Sequence, residues 1–196
     1  MDNKETIVFV DAGYLSYINR FFGEGKHLKY KLEKFAISLC KEKKLWCNFV
    51  YYYTAPPYQS QNPTEEENKR KAGYDTFIEK LKSVRPAVYV REGRVVRDRS
   101  GEIHQKGVDT LLTLDLLRTA QRKEVKQIIL ITADTDFVPV LDVITKEYGM
   151  KVILAYFTDR KRKSGLSMSN ALLECCNEKI LIRKEHLLDI DNHKQE

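Results

Sequence analysis

Continuous apolar runs of strand length alternate along the chain with longer stretches in which apolar residues recur at helical spacing. Two runs without polar alternation, Thr6–Val10 and Ile128–Thr132, are typical of strands covered on both faces of a parallel sheet. The other predicted strands are Cys47–Tyr53, Ala87–Val90, Lys151–Ala155 and Ile180–Ile182. Strands that alternate with helices predict an α/β fold with a mostly parallel central sheet.

The spacing of apolar residues predicts helices between these strands. They are expected over Leu28–Cys40, Tyr74–Leu81, Val108–Arg122, Phe137–Tyr148 and Ser167–Cys176. Residues 58–69 are polar and are expected to form an exposed loop, whereas Asp98–Gly101 is typical of a hairpin turn. No repeat of fixed period and no linker divides the sequence, so we expect one domain over residues 1–196.

Composition and charge narrow the class of protein. Of 196 residues, 42% are hydrophobic and 32% are charged, which argues against intrinsic disorder. No apolar run approaches the ~20 residues that a membrane span needs, and the first residues do not resemble a signal peptide. We therefore expect a cytoplasmic protein with no membrane partner. The net charge of +6 favours a polyanionic partner, but only weakly.

Three short acidic segments carry the candidate chemistry. Asp11 directly follows the first buried strand, whereas Asp134 and Asp136 follow the strand that ends at Thr132. Asp109 lies at the predicted start of a helix. In open α/β sheets, ligands bind beyond the carboxyl ends of the strands, at the point where strand order reverses. If the first and fourth major strands are neighbours there, Asp11 and Asp134 face each other across the crevice.

Each acid also has a structural interpretation. Asp109 taken alone is more typical of a helix N-cap than of a catalytic group, and Asp134 or Asp136 equally suits a cap for the helix near Phe137. A cluster of such acids is unfavourable, however, because two carboxylates about 4 Å apart repel by about 4 kcal/mol at an effective dielectric of 20. A bound Mg²⁺ or Mn²⁺ offsets that repulsion, and such ions promote phosphodiester hydrolysis. The cluster therefore predicts metal-assisted phosphodiester hydrolysis.

Three segments resemble, in order and spacing, the signature of NYN domains, which are PIN-like ribonuclease-type domains that include the LabA-like (DUF88) group. These segments are Val8–Leu15, Lys106–Asp109 and Thr132–Phe137. The resemblance extends to the tyrosine-rich second strand, which ends at Ala55–Pro57, and to the late helix at Ser169–Leu173. It implies a PIN-like three-layer α/β/α sandwich around a mostly parallel central sheet.

The resemblance also implies an activity and a site. The activity is that of a ribonuclease that requires a divalent metal, Mg²⁺ or Mn²⁺, and acts on RNA. The residues that match the family's catalytic and metal-binding acids are Asp11, Asp109, Asp134 and Asp136. A homodimer is compatible with the resemblance, since PIN-like domains often pair.

Basic and aromatic residues near the predicted carboxyl edge are the candidate RNA contacts. The dense run Arg160, Lys161, Arg162 and Lys163 follows a predicted strand, and it is either a solvated loop or a phosphate-contacting loop. Lys106 precedes Asp109 in the second motif, and Tyr14, at a strand end, is a candidate for stacking on an unpaired base. Four further arginines either extend this surface or decorate a hairpin used for dimer contacts: Arg91, Arg94, Arg97 and Arg99.

Two other functions stay open on the sequence. Tyr14 stands where many family members have Asn, Ala133 where many have Gly, and Cys176–Asn177 where an Ala-Asp pair is common. These differences favour a non-catalytic PIN-like module that binds RNA or a protein. The motif Asp134-Thr135-Asp136 also suggests a phosphohydrolase that acts on small phosphate esters. In haloacid-dehalogenase-like enzymes, however, that motif follows the first strand, so this hypothesis ranks last.

Overall fold

A computed structural model provides the structure of the protein and describes residues 4–159 and 167–188. Within these residues the strands are β1 (Glu5–Asp11), β2 (Trp46–Thr54), β3 (Ala87–Glu92), β4 (Arg94–Arg97), β5 (Ile103–Lys106), β6 (Gln127–Ile131), β7 (Lys151–Tyr156) and β8 (Glu178–Leu181). The hairpin β4–β5 is antiparallel. The other strands form one parallel sheet in the order β3-β2-β1-β6-β7-β8.

Helices cover both faces of this sheet and complete the predicted α/β/α sandwich. They are α1 (Ala12–Phe22), α2 (Leu32–Glu42), α3 (Glu65–Leu81), α4 (Val108–Arg122), α5 (Val138–Lys146), α6 (Asn170–Cys175) and α7 (Lys184–Leu187), with a 3₁₀ turn at Thr135–Phe137 before α5. No helix in the described part of the chain is both long enough and apolar enough to cross a membrane.

The continuous apolar run of β1 serves two cores. Successive residues of a strand face opposite sides of the sheet. Val8 and Val10 therefore pack in the core beneath α1 and α2, whereas Ile7 and Phe9 pack in the core beneath α4 and α5. All four side chains are fully buried. The prediction that this strand is covered on both faces is confirmed.

The order of the strands places a reversal point beside β1. Val10 pairs with Tyr52 of β2 on one side and with Ile131 of β6 on the other. The chain proceeds outward from β1 through β2 to β3, and then starts again at β6 and proceeds through β7 to β8. The predicted adjacency of the first and fourth major strands is confirmed, so their carboxyl ends open onto one crevice.

Some helices differ from the predicted ones. α1 was not predicted, because Gly13 and several aromatic residues weaken its helical propensity. The helix expected from Leu28 begins instead at Leu32. α3 begins within the polar stretch predicted to be a loop, because Thr64 and Glu67 form a capping box: the Glu67 N–H donates to Thr64 Oγ1, and the Thr64 N–H donates to Glu67 Oε2.

The hairpin β4–β5 forms at the predicted turn. Asp98 organises this turn, because its Oδ1 accepts hydrogen bonds from the backbone N–H groups of Ser100 and Glu102, at 2.8 Å and 2.9 Å. Gly101 has a φ of 91°, in the left-handed region that glycine adopts most readily. The hairpin leads directly from the end of β3 to the start of α4.

Candidate active site

The predicted acidic residues meet at the carboxyl ends of β1 and β6. Asp11 is the last residue of β1, whereas Asp134 and Asp136 lie just beyond β6, the neighbouring strand. Asp109 reaches the same edge from the first turn of α4. The acids lie close enough for their charges to interact. Burial is the main cause of the raised pKa values of Asp11 and Asp109, but the charge of Asp109 adds to the rise at Asp11, and the charges of Asp134 and Asp136 add to the rise at Asp109.

The carboxylate of Asp11 is held in place from both sides. Its Oδ1 accepts hydrogen bonds from the backbone N–H groups of Gly13 at 2.9 Å and Tyr14 at 3.2 Å, and so caps α1. A Cβ atom at Gly13 would lie 3.2 Å from this oxygen, so any larger residue would require the Asp11 side chain to shift. Burial raises the pKa of Asp11, and these hydrogen bonds oppose the rise by stabilising the ionised form.

Thr132 links the first and third acidic segments, a role that the sequence analysis did not assign. Its hydroxyl donates to Asp11 Oδ2 at 3.3 Å and accepts a hydrogen bond from the backbone N–H of Asp134 at 3.1 Å. The residue is fully buried at the end of an apolar strand. A polar residue at that position was the signal that could have identified it.

Asp134 caps the 3₁₀ turn, as its structural interpretation predicted. Its Oδ1 accepts a hydrogen bond from the backbone N–H of Asp136 at 2.9 Å. Its Oδ2 receives no hydrogen bond from any residue that the structure describes. The capping role therefore leaves one carboxylate oxygen of Asp134 available for a ligand.

Asp109 does not cap α4, so the structural interpretation of this residue is wrong. The N-cap is Gly107, which has a φ of 85°. Partial desolvation in the crevice raises the pKa of Asp109, and the negative charges of Asp134 and Asp136 raise it further, although the residue as a whole is exposed. A carboxylate that repels its neighbours and caps no helix is well suited to a cation.

The acids fit a loosely coordinated divalent cation better than a fully protein-bound one. Within residues 4–159 and 167–188, no three Asp, Glu, His or Cys side chains converge as a ready metal-ligand set. Mg²⁺ usually keeps several waters and binds only one or two carboxylates together with phosphate oxygens. Asp109 and Asp134 offer free carboxylate oxygens in one crevice, which meets this smaller requirement.

Tyr14 lies in the core instead of facing the crevice. Its side chain is only 7% exposed, and its hydroxyl donates to the Phe157 carbonyl at 3.1 Å and accepts from the Phe157 N–H at 2.9 Å. Burial raises the pKa of Tyr14 to about 12. This placement contradicts the prediction that Tyr14 stacks on an RNA base, because a ring packed in the core has no free face. Tyr14 instead ties α1 to the segment that follows β7.

We expect the substitution Tyr14→Phe to lower the free energy of unfolding by about 2 kcal/mol, because the buried N–H and C=O groups of Phe157 then lose their partner. Denaturant unfolding measured by circular dichroism would show this change. Tyr17→Phe is the matched control, since Tyr17 is 67% exposed. Equal stability of the two variants would contradict the anchoring role of Tyr14.

A second acid of α4, Asp115, forms a buried polar network below the crevice. Arg91 donates to both Asp115 oxygens, from Nε at 2.7 Å and from Nη2 at 3.2 Å, and the Tyr53 hydroxyl donates to Oδ2 at 3.2 Å. Tyr53 and Asp115 are buried. Arg91 is therefore a structural cation that joins β3 to α4, and Tyr53 is likewise unavailable for base stacking.

The predicted RNA-contacting cations are only partly described. Lys106 is exposed at the end of β5, next to the start of α4. The basic run Arg160, Lys161, Arg162 and Lys163 lies outside the described residues. Phe157, three residues before this run, follows β7 at the carboxyl edge of the sheet, and its backbone N–H donates a hydrogen bond to the Tyr14 hydroxyl.

Comparisons with known proteins agree with this fold. The family model described as the NYN domain matches residues 5–182. The crystal structure of a protein of unknown function from Vibrio parahaemolyticus RIMD 2210633 is similar, with a TM-score of 0.63 and 20% sequence identity, over 96% of this chain and 99% of that one. At this identity the likeness concerns the fold alone. A search among curated proteins finds no match.

Proposed function

The chain belongs to the NYN domain family, and from this premise we propose that it is a divalent-metal-dependent ribonuclease. The family is nuclease-like, which supports a ribonuclease-type function with RNA as the substrate. One observation supports a metal-dependent site in particular. Four acids share the crevice where strand order reverses: Asp11, Asp109, Asp134 and Asp136.

The proposed cofactor is Mg²⁺ or Mn²⁺, because carboxylate and water oxygens are the ligands that these ions prefer. Asp109 and Asp134 would contact it through their free carboxylate oxygens, and Asp11 and Asp136 would complete the acidic site around it. When bound, such an ion polarises the phosphodiester and stabilises the leaving oxygen. The raised pKa of Asp109 and that of Asp11 support this assignment, since a cation relieves the desolvation and repulsion that cause them.

The chain's own groups orient the acids in this proposal. The Thr132 hydroxyl and two backbone N–H groups fix the carboxylate of Asp11, so that it does not rotate away from the crevice. Asp109 accepts no hydrogen bond from the described residues, so its oxygens can face the reacting phosphate. Hydrogen bonds therefore fix the carboxylate of Asp11 on β1, whereas none from the described residues fixes that of Asp109 on α4.

RNA is proposed to approach along the carboxyl edge of the sheet. Lys106 and the basic run Arg160, Lys161, Arg162 and Lys163 are its proposed phosphate contacts, because cations near the acids attract the RNA backbone. Four further points stay predictions from the sequence: membership of the LabA-like (DUF88) group, a cytoplasmic location, a homodimer, and one domain over residues 1–196.

A binding module without catalysis is the second candidate. It is favoured by one observation, which is that no three metal-ligand side chains converge among the residues that the structure describes. Such a module would hold RNA with an affinity that falls steeply with salt, and it would depend little on metal.

A cleavage assay distinguishes the two candidates. The substrates are single-stranded and hairpin RNAs, incubated with Mn²⁺, Mg²⁺ or EDTA beside the variant Asp134→Asn. Asparagine retains a side-chain oxygen that can accept the hydrogen bond from the Asp136 N–H, so the variant is expected to keep the 3₁₀ turn. Metal-dependent products that are lost in Asp134→Asn support the ribonuclease. Folded wild-type protein that retards RNA without forming products supports the binding module.

A further inference from the structure

The hairpin β4–β5 carries two cations on the face that points away from the core. Arg94 pairs directly with Lys106 across the antiparallel ladder, and Val95 pairs with Gln105. Directly opposite residues share a face of the ladder, and successive residues alternate between faces. Because Val95 packs against the core beneath α4 and α5, the Arg94–Lys106 pair lies on the opposite, outer face.

This pair of like charges forms no ion pair with any residue that the structure describes. Directly opposite residues have Cβ atoms about 4.5–5.5 Å apart, and like charges at that distance are destabilising. Arg94 and Lys106 are both exposed, and no carboxylate within residues 4–159 and 167–188 forms an ion pair with either. The nearby Asp98 is occupied by the hairpin turn and by His104 Nε2, at 2.9 Å from its Oδ2. An external anion can therefore bind to both cations without displacing an ion pair of the described residues.

The pair is held close to the acidic crevice. Lys106 precedes Asp109 by three residues, so their Cα atoms lie at most about 11 Å apart. The base of the hairpin packs tightly on the start of α4, since a Cβ atom at Gly93 would lie 2.6 Å from the Lys106 carbonyl oxygen and 2.6 Å from Val108 Cγ2. The backbone that carries both cations is therefore packed against the helix that carries Asp109.

We propose that Arg94 and Lys106 together form a binding site for an RNA backbone phosphate next to the acidic crevice. The guanidinium of Arg94 donates in a planar fork that matches two phosphate oxygens, and the ammonium of Lys106 adds a point charge. This inference rests on the proposed ribonuclease function, which makes RNA the anion. It adds Arg94 to the RNA contacts and gives the hairpin the role of placing the strand over the acids.

The test measures binding of a labelled single-stranded RNA in EDTA, so that no metal-dependent cleavage interferes. Arg94→Gln and Lys106→Gln are each expected to weaken binding about tenfold at low salt. In the double variant, the slope of log affinity against log salt concentration falls by about 0.7, since the pair contacts one phosphate and each phosphate contact on single strands contributes about 0.7. Lys126→Gln is the matched control for each single variant, because Lys126 is exposed at the amino edge of the sheet and its loss changes the net charge by the same single unit.

Stability and cleavage complete the test. Removal of the repulsion is expected to leave the melting temperature of the double variant equal to or above that of the wild type, so weaker binding cannot come from unfolding. A double variant that binds RNA as tightly as Lys126→Gln would overturn the phosphate site, even if the wild type cleaves RNA. Weaker binding by the double variant, with no cleavage by the wild type, would support the phosphate site and contradict the proposed ribonuclease activity. Wild-type protein that binds no RNA would overturn the phosphate site.

Discussion

Replacing Asp109 with asparagine is expected to slow RNA cleavage at least about 1,000-fold, and also to stabilise the metal-free protein. The loss corresponds to about 4 kcal/mol of transition-state stabilisation, since about 1.4 kcal/mol is a factor of ten and a metal contributes several kcal/mol. Single-turnover cleavage in Mn²⁺ measures this effect. Asp75→Asn is the control, because Asp75 is an exposed acid on α3 that pairs with Lys71.

The expected gain in stability follows from the raised pKa of Asp109. An acid whose folded-state pKa is raised above its ordinary value of 3.8 stabilises the fold most when it is protonated. That contribution is fully present below the unfolded-state pKa and is lost as pH rises through the folded-state pKa. At pH 7 in EDTA, Asp109→Asn should therefore melt above the wild type, and at pH 3 the difference should disappear. Wild-type cleavage rates in Asp109→Asn would contradict the role of this acid.

Mn²⁺ is expected to raise the melting temperature of the wild type by about 5–10 °C at a concentration 100 times its dissociation constant. Binding at that concentration adds about 2.7 kcal/mol of stability, and 1 kcal/mol shifts the melting temperature of a protein of this size by about 2–4 °C. The shift should be lost in Asp134→Asn, which removes a free carboxylate oxygen while asparagine can still cap the 3₁₀ turn.

The pH dependence of this shift gives a second check. Carboxylates bind cations in their ionised form, so the Mn²⁺-induced shift should shrink as pH falls through the raised pKa values of Asp11 and Asp109. Differential scanning fluorimetry between pH 4 and pH 8 measures the trend. An equal shift in the wild type and Asp134→Asn at every pH would place the ion elsewhere on the protein.

The parts of the fold that follow from burial on both faces of a sheet could be predicted from the sequence. Continuous apolar runs predict the positions of β1 and β6, and α4 extends over the predicted residues Val108–Arg122. α1 could not be predicted, because tertiary contacts and the capping by Asp11 stabilise a helix of weak intrinsic propensity. The early start of α3 depends on a capping box that overrides the polarity of the segment.

The candidate site was predictable in the position of its acids but not in the contacts that organise it. Strand ends indicate where Asp11 and Asp134 lie, because parallel strands bring their carboxyl ends to one edge. The bridge through Thr132 depends on the register of β1 and β6, which no local pattern specifies. The burial of Tyr14 also depends on a distant contact, since its partner Phe157 follows it by 143 residues.

Metal rescue tests most directly whether the acidic crevice holds a divalent ion that acts on an RNA phosphate. The measurement compares cleavage of an RNA with and without a single phosphorothioate at the cleaved linkage, in Mg²⁺, Mn²⁺ and EDTA. Sulfur is a softer ligand that Mg²⁺ binds poorly, so we predict at least about tenfold slower cleavage of the phosphorothioate in Mg²⁺ and recovery in Mn²⁺. Cleavage of the unmodified RNA in EDTA at the rate observed in Mg²⁺ would contradict a metal-dependent site in the crevice.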